Sequence, residues 1–138
     1  MSKLGCECGN VISDTTDNIP YKGVIIRDQD VERVFYDGIA NDINEFIEAI
    51  SQGKREEWMR EYFLSGYPFS EVNNLGVISD IISLHFIKRE LDIYQCMSCG
   101  SIKIQNGSSS NMFSSFAAKK WLEGSESILK SEGEETQS

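Results

Sequence analysis

Cys6-Glu7-Cys8-Gly9 and, far downstream, Cys96-Met97-Ser98-Cys99-Gly100 decide how this chain must fold. Each stretch sets two thiols on a tight turn and closes with glycine. Glycine lets the chain fold back, so that backbone N–H groups face the sulfurs. Two such knuckles supply four thiolates, the closed tetrahedral shell of a structural zinc site. The expected ligands are therefore Cys6, Cys8, Cys96 and Cys99. Shared coordination ties residue 6 to residue 96 and makes everything between them an insertion in a zinc ribbon. The first knuckle is C-x-C, not the commoner C-x-x-C, and this weakens the signal.

Three other fates compete for the thiols. They can stay free, form disulfides, or serve as a redox C-x-x-C pair. The opening MSKLGCECGN has no apolar signal core, and no apolar run approaches a membrane span. The expectation is a reduced, cytoplasmic chain, which disfavours disulfides. A redox C-x-x-C opens a helix after a strand. Here Ser101-Ile102-Lys103-Ile104-Gln105 follows the second pair, which is a strand pattern.

At 138 residues, 40% of them hydrophobic and with seven Phe, five Tyr and two Trp, the chain can build a real core. We expect a single zinc-stapled domain over residues 1–123. Residues 124–138, rich in Ser and Glu, read as a flexible tail. The net charge is −9, and residues 1–52 carry ten acids against four bases. Zinc with four thiolates adds a further negative charge. Such a surface repels phosphate and argues against nucleic acid, but it suits a basic protein partner. The plain alternative is that the charge serves solubility.

Val11-Ile12 reads as a short strand and Tyr21 to Ile26 as a longer one. Residues 29–52 carry Val31, Val34, Phe35, Ile39, Ile43, Phe46, Ile47 and Ile50 at helical spacing. On an ideal α-helix, Asp30, Asp37, Glu45 and Glu48 fall on the opposite face. These four form the candidate partner-binding ridge, although a merely solvated face would look the same. A second helix spans residues 54–64, with Trp58, Met59, Tyr62 and Phe63 on its apolar side. A third starts near Ser70 and runs to about Glu90. Strands are expected at 91–95, 101–105 and 112–116, and a helical turn at 117–122, with Trp121 docking on the body. The expected fold is α+β: a small antiparallel zinc-ribbon-like sheet with a three-helix insertion between the knuckles.

Catalysis finds little support. The one histidine, His85, sits in an apolar helical stretch and reads as structural. Four committed thiols leave no Cys–His pair, and a closed thiolate shell leaves no open metal position. No phosphate loop, H-E-x-x-H or G-x-S-x-G motif occurs.

The run Cys6-x-Cys8-Gly9-Asn10, then Thr16-Asp17-Asn18-Ile19-Pro20-Tyr21-Lys22-Gly23 and the closing Cys96–Gly100 knuckle resembles a group of small bacterial proteins. These are the immunity proteins encoded beside polymorphic or contact-delivered toxins. The resemblance implies no catalytic residues, structural zinc, and a cognate toxin as partner. It carries over no contact residue, because the partner surface varies between members. The Ser/Glu-rich tail here is longer than the family pattern. The functional expectation is a toxin-neutralising protein that occludes a basic surface. The second reading is a zinc-ribbon adaptor or regulator that binds a basic protein segment. If the acidic ridge is not the contact, the aromatics Tyr67 and Phe69 are the next place to look.

Overall fold

The computed structural model of the protein describes residues 2–133. The fold is α+β, with small antiparallel sheets and a helical insertion. Strands β1 (Ser2–Gly5) and β2 (Val11–Asp14) pair as a hairpin, with Leu4 opposite Ile12. Strands β3 (Lys22–Ile25), β4 (Leu91–Gln95), β5 (Ile102–Gln105) and β6 (Phe113–Phe116) form a second sheet in that order, each antiparallel to the next. The first cysteine pair lies in the turn between β1 and β2, and the second in the turn between β4 and β5. β5 and β6 form the expected closing hairpin, with Ile102 opposite Phe116. β1 was not legible in the sequence.

The insertion leaves the sheet after β3 and returns at β4. Ile25 pairs with Leu91, so the chain re-enters beside the point where it left. The molecule divides into two compact units: Ile26–Arg89, and the residues before and after it. In the sheet unit, Ile12, Tyr94, Cys6 and Cys96 are buried, with Leu4, Tyr21 and Phe113 packed on them. The Tyr94 hydroxyl donates to Asp14, and Lys22 Nζ lies 2.6 Å from the same carboxylate.

In the insertion, α1 (Asp28–Glu32), a π-helical stretch (Arg33–Ala40) and α2 (Asn41–Ser51) follow one another without a break. The first expected helix is therefore present but is not α-helical throughout. A π-helix bonds each residue to one five away, so it turns less per residue than an α-helix. The difference moves Asp30. In a regular α-helix the sixteen residues from Asp30 to Phe46 would put the two about 160° apart. The π stretch unwinds much of that angle, and both side chains are buried. Phe35, Ile47 and Ile50, expected on the inner stripe, are exposed.

Helices α3 (Arg55–Tyr62) and α4 (Asn74–Arg89) complete the insertion. Its core is Phe46, Met59, Phe63, Val77 and Ile81. Burying five such side chains, at about 1.5–3 kcal/mol each, is the main force holding the helices together. Trp58 stacks on Tyr62 with ring centroids 4.5 Å apart, and Phe63 stacks on Tyr67 at 3.9 Å. α4 starts four residues later than Ser70. Asn73 is its cap, its side-chain oxygen accepting the Gly76 N–H at 2.8 Å.

The stretch 117–122 forms no helical turn, but the Trp121 ring does dock, lying directly over Gly100. The expected tail is anchored over part of its length. Gln95 Oε1 accepts bonds from Ser127 Oγ at 2.9 Å and from the Ile128 N–H at 3.0 Å, and Ser127 is buried. Residues 134–138 of the expected tail lie outside the described residues.

Candidate metal centre and acidic face

The knuckles fold as their sequences demand. Gly9 (φ +96°) and Gly100 (φ +77°) both take the left-handed conformation that side chains resist. Each then folds its N–H back onto the first cysteine of its pair: Gly9 N to Cys6 O at 2.9 Å, and Gly100 N to Cys96 O at 2.8 Å. Gly100 has a second constraint, because a Cβ there would lie 2.5 Å from the Trp121 ring.

The result gathers the four sulfurs. The Sγ atoms of Cys6, Cys8, Cys96 and Cys99 all lie within 4.8 Å of one another, and none is in a disulfide. Cys6 and Cys99 are 3.6 Å apart, and Cys8 and Cys96 are 3.7 Å apart. A tetrahedral shell with metal–sulfur bonds of about 2.3 Å has sulfur–sulfur edges of about 3.8 Å. The four cysteines therefore could hold a metal ion with little movement.

Their surroundings favour anionic sulfur at one end. Burial raises the Cys96 thiol. The backbone N–H groups of Cys99 and Ser98 and the Asn10 side-chain amide, 3.5 Å from the sulfur, outweigh it and bring the group down to about 6. Cys6 is pushed up to about 12, chiefly by burial and then by the neighbouring thiols. Four thiols in contact cannot all ionise without a cation between them, and a metal ion supplies that charge.

Lys103 adds a fixed positive charge. It is only 1% exposed, and its Nζ bonds to Glu7 and, at 2.7 Å, to Ser115 Oγ. Burial would lower the ammonium, but the bond to Glu7 outweighs this and holds it up. In return Lys103 brings the Glu7 carboxyl down to about 2. Glu7 sits between two of the cysteines, with Oε2 3.6 Å from Cys6 Sγ. Sequence reading passed over this buried lysine, since the alternation of β5 alone does not tell which face is covered.

The expected acidic ridge is divided. Asp30 is 7% exposed and faces three guanidinium groups: Arg89 at 3.6 Å, Arg33 at 3.8 Å and Arg27 at 4.0 Å. It is an internal counter-ion and not part of a ridge. Asp37, Glu45 and Glu48 are exposed. Glu45 and Glu48 also line a hollow of about 370 Å³ whose opposite wall is Glu57 and Glu61 of α3, with Trp58 between them and Lys54 at the side. The α3 wall went unnoticed in the sequence, although two acids four residues apart, flanking a Trp, are its signature.

His85 belongs to a polar lock inside the helical unit. Its Nε2 lies 2.6 Å from Asp42 Oδ2, which also accepts the Tyr62 hydroxyl at 2.6 Å. Its Nδ1 stands against the backbone at Gly38, where a Cβ would lie only 2.5 Å away. Three segments, around Asp42, Tyr62 and His85, meet at this one carboxylate.

These features define an α+β domain with a four-cysteine metal-binding geometry and a helical insertion. The chain belongs to the family described as Domain of unknown function (DUF8617), whose model matches residues 2–120 and so spans both cysteine pairs and the insertion. No curated protein and no solved structure matches the chain. Among the described residues, no helix is long and apolar enough to cross a membrane.

Proposed function

We propose that this is a cytoplasmic immunity protein that binds a cognate bacterial toxin and neutralises it by covering a basic surface, with zinc as a structural staple. The observation that carries the reading is the acidic hollow. The exposed acids Glu45, Glu48, Glu57 and Glu61 line one hollow together with Lys54 and the partly buried Trp58. Carboxylates attract Lys and Arg over several ångströms, and an indole face adds cation–π attraction of about 0.5–2 kcal/mol per cation. An enzyme that grips nucleic acid needs a basic groove, and an acidic protein competes for that groove.

Zinc is the metal we assign to the four cysteines, because a closed tetrathiolate shell is its characteristic structural site. Its role is to fix the sheet unit. No catalytic step is assigned to it, and His85 serves the polar lock. A rigid scaffold binds without a large ordering cost. The zinc-ribbon adaptor reading predicts the same acidic contact but no toxin.

The test is co-expression. The gene product encoded next to this one, produced alone, should stop growth. Adding this protein should restore growth, and the two should co-purify. Co-purification with a harmless neighbour would favour an adaptor. Growth arrest that this protein does not relieve would overturn the immunity reading.

A further inference from the structure

A surface that binds by charge alone is weak and salt-sensitive, so a tight binder needs a desolvated apolar anchor beside its charges. The helical unit carries such a place. Between the end of α3 and the outer turns of α4 runs a groove of about 410 Å³ with apolar walls, built from Leu64, Leu84 and Ile87 with Tyr62 and Tyr67. Leu64 is 88% exposed and Ile87 63% exposed. Single exposed leucines are ordinary, but several lining one groove mark an interaction site. The polar groups nearby do not fill it. The Tyr67 hydroxyl donates to Asp80 at 2.5 Å, and the Tyr62 hydroxyl is committed to Asp42.

The groove adjoins the acidic hollow. Trp58 lines the hollow, Tyr62 lines the groove, and their rings are stacked at 4.5 Å. Both sites are thus built on α3, with Glu57 and Glu61 on one side and Leu64 at its end. Residues 26–89 carry twelve acids and seven bases, a net charge of −5, and the charged side chain in the groove wall is the acid Asp80.

We infer that α3 is the spine of a two-part docking surface for a basic amphipathic segment of the partner protein. The segment sets an aliphatic or aromatic side chain in the groove and lays Lys or Arg over the hollow. Charge chooses the occupant. A second copy of this chain, at −9, would bring like charge to an acidic rim. This deepens the proposed function and rests on its basic-partner reading.

The probe is a pair of labelled synthetic peptides of equal positive charge. One is a helix-forming Leu/Lys peptide with leucines on a single face, and the other is oligolysine. The Leu/Lys peptide should bind at least about tenfold tighter, the gain from burying one leucine. Leu64→Ser with Ile87→Ser changes only exposed side chains, so it should keep the fold. It should remove that advantage while leaving oligolysine binding unchanged. Glu57→Lys with Glu61→Lys should weaken both peptides.

Equal binding of the two peptides to the unaltered protein, or an advantage that survives Leu64→Ser with Ile87→Ser, would overturn the groove and leave the acidic reading standing. Oligolysine binding that ignores Glu57→Lys with Glu61→Lys would overturn the basic-partner reading itself. Dimers in sedimentation that dissociate on Leu64→Ser with Ile87→Ser would assign the groove to a second copy, against this proposal.

Discussion

Cys8 Sγ and Cys96 Sγ lie 3.7 Å apart although 88 positions separate them in the chain. A contact of that sequence separation carries a large closure entropy, which weak thiol–thiol contacts cannot offset. A shared metal ion can, since structural zinc contributes on the order of 10 kcal/mol to folding. Cys99→Ser should therefore lower the melting temperature sharply and release the metal, as seen by calorimetry with a zinc-sensitive dye. A variant that keeps both metal and melting temperature would show that Cys99 is not a ligand.

Gly38→Ala tests the π-helical stretch. The added methyl would meet His85 Nδ1 at 2.5 Å and the Arg33 carbonyl oxygen at 2.8 Å. Alanine normally helps a helix, by roughly 0.5–1 kcal/mol over glycine. Here overpacking should reverse the sign and cost about 1–3 kcal/mol in urea denaturation. A stabilised variant would mean that His85 has room to move.

Asp42→Asn replaces the charged oxygen shared by His85 and Tyr62 with a neutral amide that has one acceptor oxygen and a donor in place of the other. The loss should be about 1–3 kcal/mol at neutral pH, where the unaltered carboxylate is ionised. The Asp42 carboxyl is pushed up by burial, but its bonds from Tyr62 and His85 outweigh this and hold it below the usual value. A depressed folded pKa stabilises above the unfolded pKa of about 3.9 and is lost as pH falls through the lower folded value. The gap between the two proteins should therefore close below about pH 4. A gap that widens there would contradict the assignment.

Much of this architecture was legible because its signals are local. Each knuckle declares itself within five residues, and the β-branched run Val24-Ile25-Ile26 marks β3. What escaped depended on geometry that the sequence does not state. Counting at a uniform 3.6 residues per turn put Asp30 on the outer ridge, whereas the π stretch carries it inside to three arginines. Half of the acidic hollow was visible as Glu45 and Glu48. The other half, Glu57 and Glu61, joins them only through the packing of α2 on α3. Lys103 was hidden because strand alternation does not say which face a neighbouring turn covers.

Asp37→Lys, Glu45→Lys and Glu48→Lys together test the acidic face. All three are exposed, so stability should barely change. Association with a basic partner should slow by roughly tenfold or more at low salt, and the difference should shrink as salt rises. Asp37 does not line the hollow, so Glu45→Lys with Glu48→Lys should account for most of the effect. Unchanged stopped-flow kinetics in the triple variant would show that these acids are only solvated.

The metal at the four cysteines can be measured without any partner. Native mass spectrometry of protein purified without chelator, with elemental analysis of the same sample, measures it directly. The expected result is one zinc per chain, removable by a strong chelator, after which four thiols react with a thiol reagent. A protein that is metal-free as purified, with four reactive thiols and a melting temperature that added zinc does not raise, would show that the four cysteines hold no structural metal.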